Sequence, residues 1–200
     1  MKFISIFIRL CVIPRISCIF AAPNIYGFYT VIVAQLVRAL DCGSRGRGFE
    51  SHHSPKGNAK FLTFFFMTTI IFSQPWHGSF NKAILDTVTE ELQNKQVPYQ
   101  VIDLNKDGFN PVMTEGELSL FAKGASLDPL VSKYQQILKD TDRLIFIFPL
   151  WWSDVPAILK GFFDKVMLKK FAYTATNRGL KGKLTHIQSA KVIVTGQAPK

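Results

Sequence analysis

After Cys42 the chain contains no cysteine, since all three, Cys11, Cys18 and Cys42, lie before that point. Residues 43–200 therefore carry neither a disulfide framework nor a thiolate metal site, which fits a reducing compartment and a cytoplasmic location. Acidic side chains are also scarce, 14 against 24 Lys and Arg, for a net charge of +10. That excess is uneven. Residues 1–60 hold eight of the bases but only two of the acids, Asp41 and Glu50, and so account for +6 of it. Residues 61–200 are mildly basic and require no nucleic-acid partner. A clean leader or membrane span is missing too. Met1–Ala22 sets Lys2 before an apolar run, but Arg9, Pro14 and Arg15 break it and no small-x-small cleavage site follows. Ile16–Val37 is uncharged and long enough to cross a bilayer, yet Pro23, Asn24, Gly27 and Gln35 dilute it, so membrane association is not expected. Gly43, Gly46 and Gly48 follow no strand and miss the G-x-G-x-x-G spacing of a phosphate loop. His52 and His53 have no second ligand cluster, and no metal site is expected.

The segment Val33–Pro55, VAQLVRALDCGSRGRGFESHHSP, resembles the conceptual translation of a transfer-RNA gene. That resemblance implies that residues 1–66 form a spurious or disordered N-terminal extension, and that the folded unit is 67–200.

From Met67 the pattern is regular. Thr68–Phe72 is β-branched and apolar, a strand. It runs into the turn formers Ser73–Asn81, then a helix with Ile84, Leu85, Val88 and Leu92 on one face and Ser79 placed to cap it. A strand, a polar turn and a helix amino end make a ready anion site, because unpaired N–H groups and the helix dipole converge there. Tyr99–Leu104 reads as the second strand. Thr114 with Glu117 forms a capping box, and Asp128-Pro129 opens a helix carrying Leu130, Val131, Tyr134, Ile137 and Leu138 on one face. Leu144–Phe148 is an unbroken apolar run, the signature of a strand covered on both faces. Pro149 stops it, Trp151 and Trp152 follow in a loop, and Pro156 starts a helix with Ile158, Leu159, Phe162, Phe163 and Val166 on one stripe. After Phe171-Ala172-Tyr173 and a polar loop, Ala190–Thr195 is a fourth strand ending at Gly196. Alternating strands and helices predict an α/β fold with a doubly wound parallel sheet. Adjacent indoles at the carboxyl end of its central strand suit a flat ring, since such sheets bind ligands there.

These residues resemble the NAD(P)H–quinone oxidoreductases of the flavodoxin-like fold. The matching blocks are Ser79-Phe80-Asn81, Asp107–Pro111, Phe148–Lys165, Phe171-Ala172-Tyr173 and Val194-Thr195-Gly196. The resemblance implies a sheet of order 2-1-3-4-5, of which this chain supplies 2-1-3-4 with the fifth strand missing. It implies bound flavin, FAD or FMN, with NAD(P)H as donor, a quinone as acceptor and a homodimer. By the same resemblance Gln74, Ser79, Phe80 and Asn81 hold the flavin phosphate. Pro149, Leu150, Trp151 and Trp152 lie along the ring, and Thr195 and Gly196 meet its polar edge. Trp152 and Tyr173 border the nicotinamide and quinone pocket, Tyr173 from the same or a partner subunit.

Gln74 stands where many relatives have histidine, and Ser153 where an aromatic is common. Lys160, Asp164 and Lys165 are expected on the outside of the helix, and His186 to be structural or merely exposed. The apolar strand 190–195 would be a bare edge, prone to aggregation. The 200-residue chain is therefore expected to be incomplete at its C-terminus, to express poorly and to hold flavin weakly. A flavodoxin-type electron carrier, a regulatory subunit of a potassium-efflux system and an inactive gene fragment remain alternatives.

Overall fold

The computed structural model describes residues 16–21, 66–177 and 179–196. The elements are β1 (Ile16–Ala21), β2 (Thr68–Phe72), α1 (Phe80–Asn94), β3 (Tyr99–Asp103), α2 (Glu115–Phe121), α3 (Pro129–Lys139), β4 (Arg143–Pro149), α4 (Ala157–Val166), β5 (Tyr173–Thr176), β6 (Gly179–Gly182) and β7 (Ser189–Thr195). Five strands pair in parallel in the order β1-β7-β4-β2-β3. β2 and β4 are buried at every position. Alternate residues of these strands serve opposite faces. Ile70, Phe72, Ile145 and Ile147 pack with Ile84, Leu85, Val88 and Leu92 of α1. Ile71, Phe146 and Phe148 pack with Tyr134 and Leu138 of α3 and with Leu159 and Phe162 of α4. The apolar runs Ile70–Phe72 and Leu144–Phe148 are what two covered faces demand.

The four strands anticipated from Met67 onward stand in the anticipated order, 2-1-3-4, as β3-β2-β4-β7. The expected bare edge is absent. Ile16–Ala21 runs parallel to β7, from Ile16 opposite Ala190 to Ala21 opposite Thr195. The fifth position of the sheet is thus filled from upstream, because the outer backbone groups of β7 accept any extended partner. The segment ISCIFA, with its β-branched and aromatic residues, is one. Val33–Pro55, with its glycines and His52-His53, lies outside the described residues.

Two further features differ from expectation. Part of the polar loop after Ala172 is an antiparallel hairpin, β5 with β6, too short to show a period. Lys165 is not on the outside of α4. It is 3% exposed, and its Nζ donates to Asn110 O at 2.8 Å, lying 3.0 Å from both Glu117 Oε1 and Asp128 Oδ2. Lys160 and Asp164 do form an exposed pair at 2.5 Å. Burial alone would raise the Glu117 carboxyl, but hydrogen bonds from Thr114 and Lys165 outweigh it and hold the group low. Burial alone would lower the Lys165 ammonium, but Asp128 and Glu117 outweigh it and hold it high. The cluster ties α2, the amino cap of α3 and the end of α4 together.

Candidate functional site

The turns after β2, β4 and β7 open at the same end of the sheet and enclose a cavity of about 530 Å³. That size lies within the ~300–1,000 Å³ usual for small-molecule sites. Ser79 builds the first wall: its Oγ accepts the Lys82 N–H at 3.1 Å and caps α1. No acid occupies the first turn of that helix, so its positive end is not neutralised locally. Asn81 is 2% exposed; its Nδ2 donates to Thr195 Oγ1 at 2.8 Å, joining the first wall to the third. Its Oδ1 has no hydrogen-bond partner. A buried acceptor left in this way is costly unless a ligand completes it.

The middle wall is a tight reversal. Trp151 and Asp154 exchange both backbone hydrogen bonds at 3.0 Å, and Leu150 N–H donates to Thr195 O at 2.7 Å. The two residues inside the reversal, Trp152 and Ser153, have φ of 51° and 62°. Left-handed backbone without glycine costs roughly 1–2 kcal/mol per residue. The turn holds the Trp152 indole wholly in solvent, 101% exposed, with Trp151 half-exposed beside it. No described side chain in the lining carries a charge. The cavity offers flat apolar surface, hydroxyls, amides and a helix dipole, and among the described residues no carboxylate or imidazole lines it to move a proton.

All ten positions to which the resemblance assigned flavin contacts, Gln74, Ser79, Phe80, Asn81, Pro149, Leu150, Trp151, Trp152, Thr195 and Gly196, line this cavity. Ser153 and Trp76 line it as well. Sequence reasoning passed over Trp76. Its signal was an aromatic among turn formers directly before the helix cap. Tyr173 is not brought to this cavity. It lines a separate apolar one of about 320 Å³ with Met113, Leu118, Phe121, Phe163, Asp164 and Met167. His186 is remote from both, donating through Nε2 to Leu138 O at 3.0 Å.

The sequence profile of the flavodoxin-like fold family matches residues 67–200. The chain is similar to NAD(P)H dehydrogenase [quinone] 1 of Rattus norvegicus, 32% identical over 143 residues, covering 64% of this chain and 52% of that protein. An NAD(P)H oxidoreductase of Haemophilus influenzae is 33% identical over 128 residues, covering 64% of this chain and 63% of that protein. Among solved structures, the NAD(P)H:quinone oxidoreductase of Methanothermobacter marburgensis superposes with a TM-score of 0.61 at 29% identity, over 68% of each chain. The chain thus spans less than two thirds of the length of these curated relatives.

Proposed function

The chain belongs to the flavodoxin-like fold family, and from that membership we propose that it is a flavin-dependent NAD(P)H:quinone oxidoreductase. The observation that carries this reading is the cavity itself, whose described lining is uncharged, walled by Trp151 and Trp152 and lined by Asn81, whose buried Oδ1 has no partner, beside an uncompensated helix amino end. Those features fit a flavin. The α1 amino end and Ser79 receive the phosphate. Turning the Asn81 amide over directs Nδ2 at that phosphate while Thr195 Oγ1–H donates to Oδ1, which leaves no orphan. The amides of Leu150 and Trp151 are already engaged within the chain. Polar contacts to the ring edge therefore fall to the Trp152 and Ser153 amides and to Thr195 and Gly196.

Bound there, the flavin supplies hydride acceptance and donation, chemistry that no lining side chain offers. The indoles of Trp151 and Trp152 fix the plane of the ring and shed water from its face. Trp152, at the rim, meets the nicotinamide of NAD(P)H and then the quinone that replaces it, in a ping-pong sequence. The left-handed turn keeps this indole from folding back into the core.

A homodimer belongs to the same reading. A second copy would cover the apolar cavity at Tyr173 and the exposed Leu118 and Phe121 beside it. Among the described residues no helix is long and apolar enough to cross a membrane. The reading places the enzyme in the cytoplasm, with neither nucleic acid nor membrane as partner. Its test is anaerobic mixing of the flavin-loaded chain with NADPH and then with a benzoquinone. The visible flavin band is expected to bleach and to return on quinone addition. A band that NADPH leaves untouched identifies an electron carrier and contradicts the proposal.

A further inference from the structure

Residues 16–21 are the one described stretch before Phe66, and they lie on the outer edge of β7. Their ladder runs from Ile16 opposite Ala190 to Ala21 opposite Thr195, so it reaches a residue that lines the cavity. Thr195 O accepts the Leu150 N–H at 2.7 Å, which shows that the backbone groups of Thr195 face β4. Alternate residues of a central strand turn to opposite neighbours, so the N–H and C=O of Val192 and Val194 face β1. With Cys18 opposite Val192 and Phe20 opposite Val194, the β1 groups turned toward β7 are those of Ser17, Ile19 and Ala21. Those of Cys18 turn outward. Thr195 is also joined to the first wall, through Asn81 Nδ2 to its Oγ1 at 2.8 Å. The third wall of the cavity therefore hangs on β7, and among the described residues β1 is the strand that holds β7 from outside.

We propose that the β7 edge is a binding site for an extended strand in parallel register, and that its occupation by Ile16–Ala21 positions Thr195 and Gly196 in the cavity. Without that strand the outer groups of Val192 and Val194 are left to water and β7 becomes an edge, where local opening is easiest. Opening there breaks the Asn81–Thr195 and Leu150–Thr195 bonds together, because both end on one residue. Recognition is through the main chain. Ladder hydrogen bonds supply the affinity, and the β-branched and aromatic residues of ISCIFA favour the extended conformation they require. The role in cofactor binding rests on the flavin reading above; the strand site does not.

The test compares two proline variants of the full chain. Ile19→Pro removes an N–H on the β7 side, whereas Cys18→Pro removes one on the outer side, where proline is tolerated. By hydrogen exchange, the Val192 and Val194 amides are expected to be protected in the wild type. Ile19→Pro is expected to cut that protection about five- to tenfold and to leave Ile193, which faces β4, unchanged. Flavin affinity, followed by fluorescence, is expected to fall about five- to tenfold in Ile19→Pro and less than about twofold in Cys18→Pro. A peptide of residues 16–21 with flanking lysines should restore both readouts to Ile19→Pro, and the same peptide N-methylated at Ile19 should not. Val192 and Val194 amides that exchange freely in the wild type overturn the strand site, even where Ile19→Pro does not fold. So do equal effects of the two prolines, or a peptide that restores nothing. Altered exchange with unchanged flavin affinity overturns the positioning role. A wild-type chain that takes up no flavin overturns the flavin reading and the positioning role with it, while the amide pattern still decides the strand site.

Discussion

The two ends of the block Phe148–Val166 are built on opposite principles. At its amino end Trp152 is fully exposed on left-handed backbone, beside a cavity in which Asn81 Oδ1 is unmatched. At its carboxyl end Lys165 is buried, with three oxygen partners within 3.0 Å. Polar demands are unmet at one end and fully met at the other. The difference separates a surface that a ligand completes from one that the chain completes alone. It also shows why burial of charge is a poor guide to the site here: the buried ion cluster around Lys165 is structural, while the described lining of the cavity carries no charge.

The largest expected effect breaks the satisfied end. Lys165→Met leaves Glu117 and Asp128 facing each other without a cation, and urea denaturation is expected to show a loss of about 3–5 kcal/mol. In the same assay Trp152→Ala should change stability by no more than about 0.5 kcal/mol, because the side chain packs against nothing. Equal losses would erase the contrast. Next comes Gly161→Ala in α4. Its Cβ would fall 2.4 Å from Pro111 Cα and O. Overpacking of about 1–3 kcal/mol should outweigh the helix preference for alanine, worth about 1 kcal/mol.

A smaller effect concerns pH. The Glu117 carboxyl is held below its ordinary value of 4.5. Its contribution is therefore complete above pH 4.5 and disappears as pH falls through the depressed folded value. Lys165 is held above 10.5, so its contribution is complete below that pH and is lost as pH rises through the raised folded value. Melting temperature against pH should fall on both sides, and Glu117→Gln should flatten the acid limb. The smallest change is at the rim. Ser153→Gly relieves left-handed backbone but adds unfolded-state freedom, and the two should cancel to within about 1 kcal/mol by urea denaturation.

Most of the fold was legible because its signals are local. Leu144–Phe148 could only be a strand covered on both faces, and the caps at Ser79, Thr114 and Asp128 marked helix starts that the structure contains. The cavity was legible because the turns after β2, β4 and β7 must share one end of a parallel sheet. What escaped depends on contacts distant in sequence. The pairing of Ile16–Ala21 with β7 spans 174 positions in register, and no local pattern announces it. Lys165 reads as an ordinary solvent-facing lysine until Glu117 and Asp128 are brought to it. Trp76 drew no notice because its meaning comes from the cavity beside it.

The most direct measurement is a fluorescence titration of FAD into the wild-type chain and into the double variant Trp151→Ala, Trp152→Ala. Saturable binding by the wild type is expected, weakened at least about tenfold in the variant, with the urea midpoint of the two chains alike. A wild-type chain that binds no flavin, or a variant that binds it as tightly, would contradict the account.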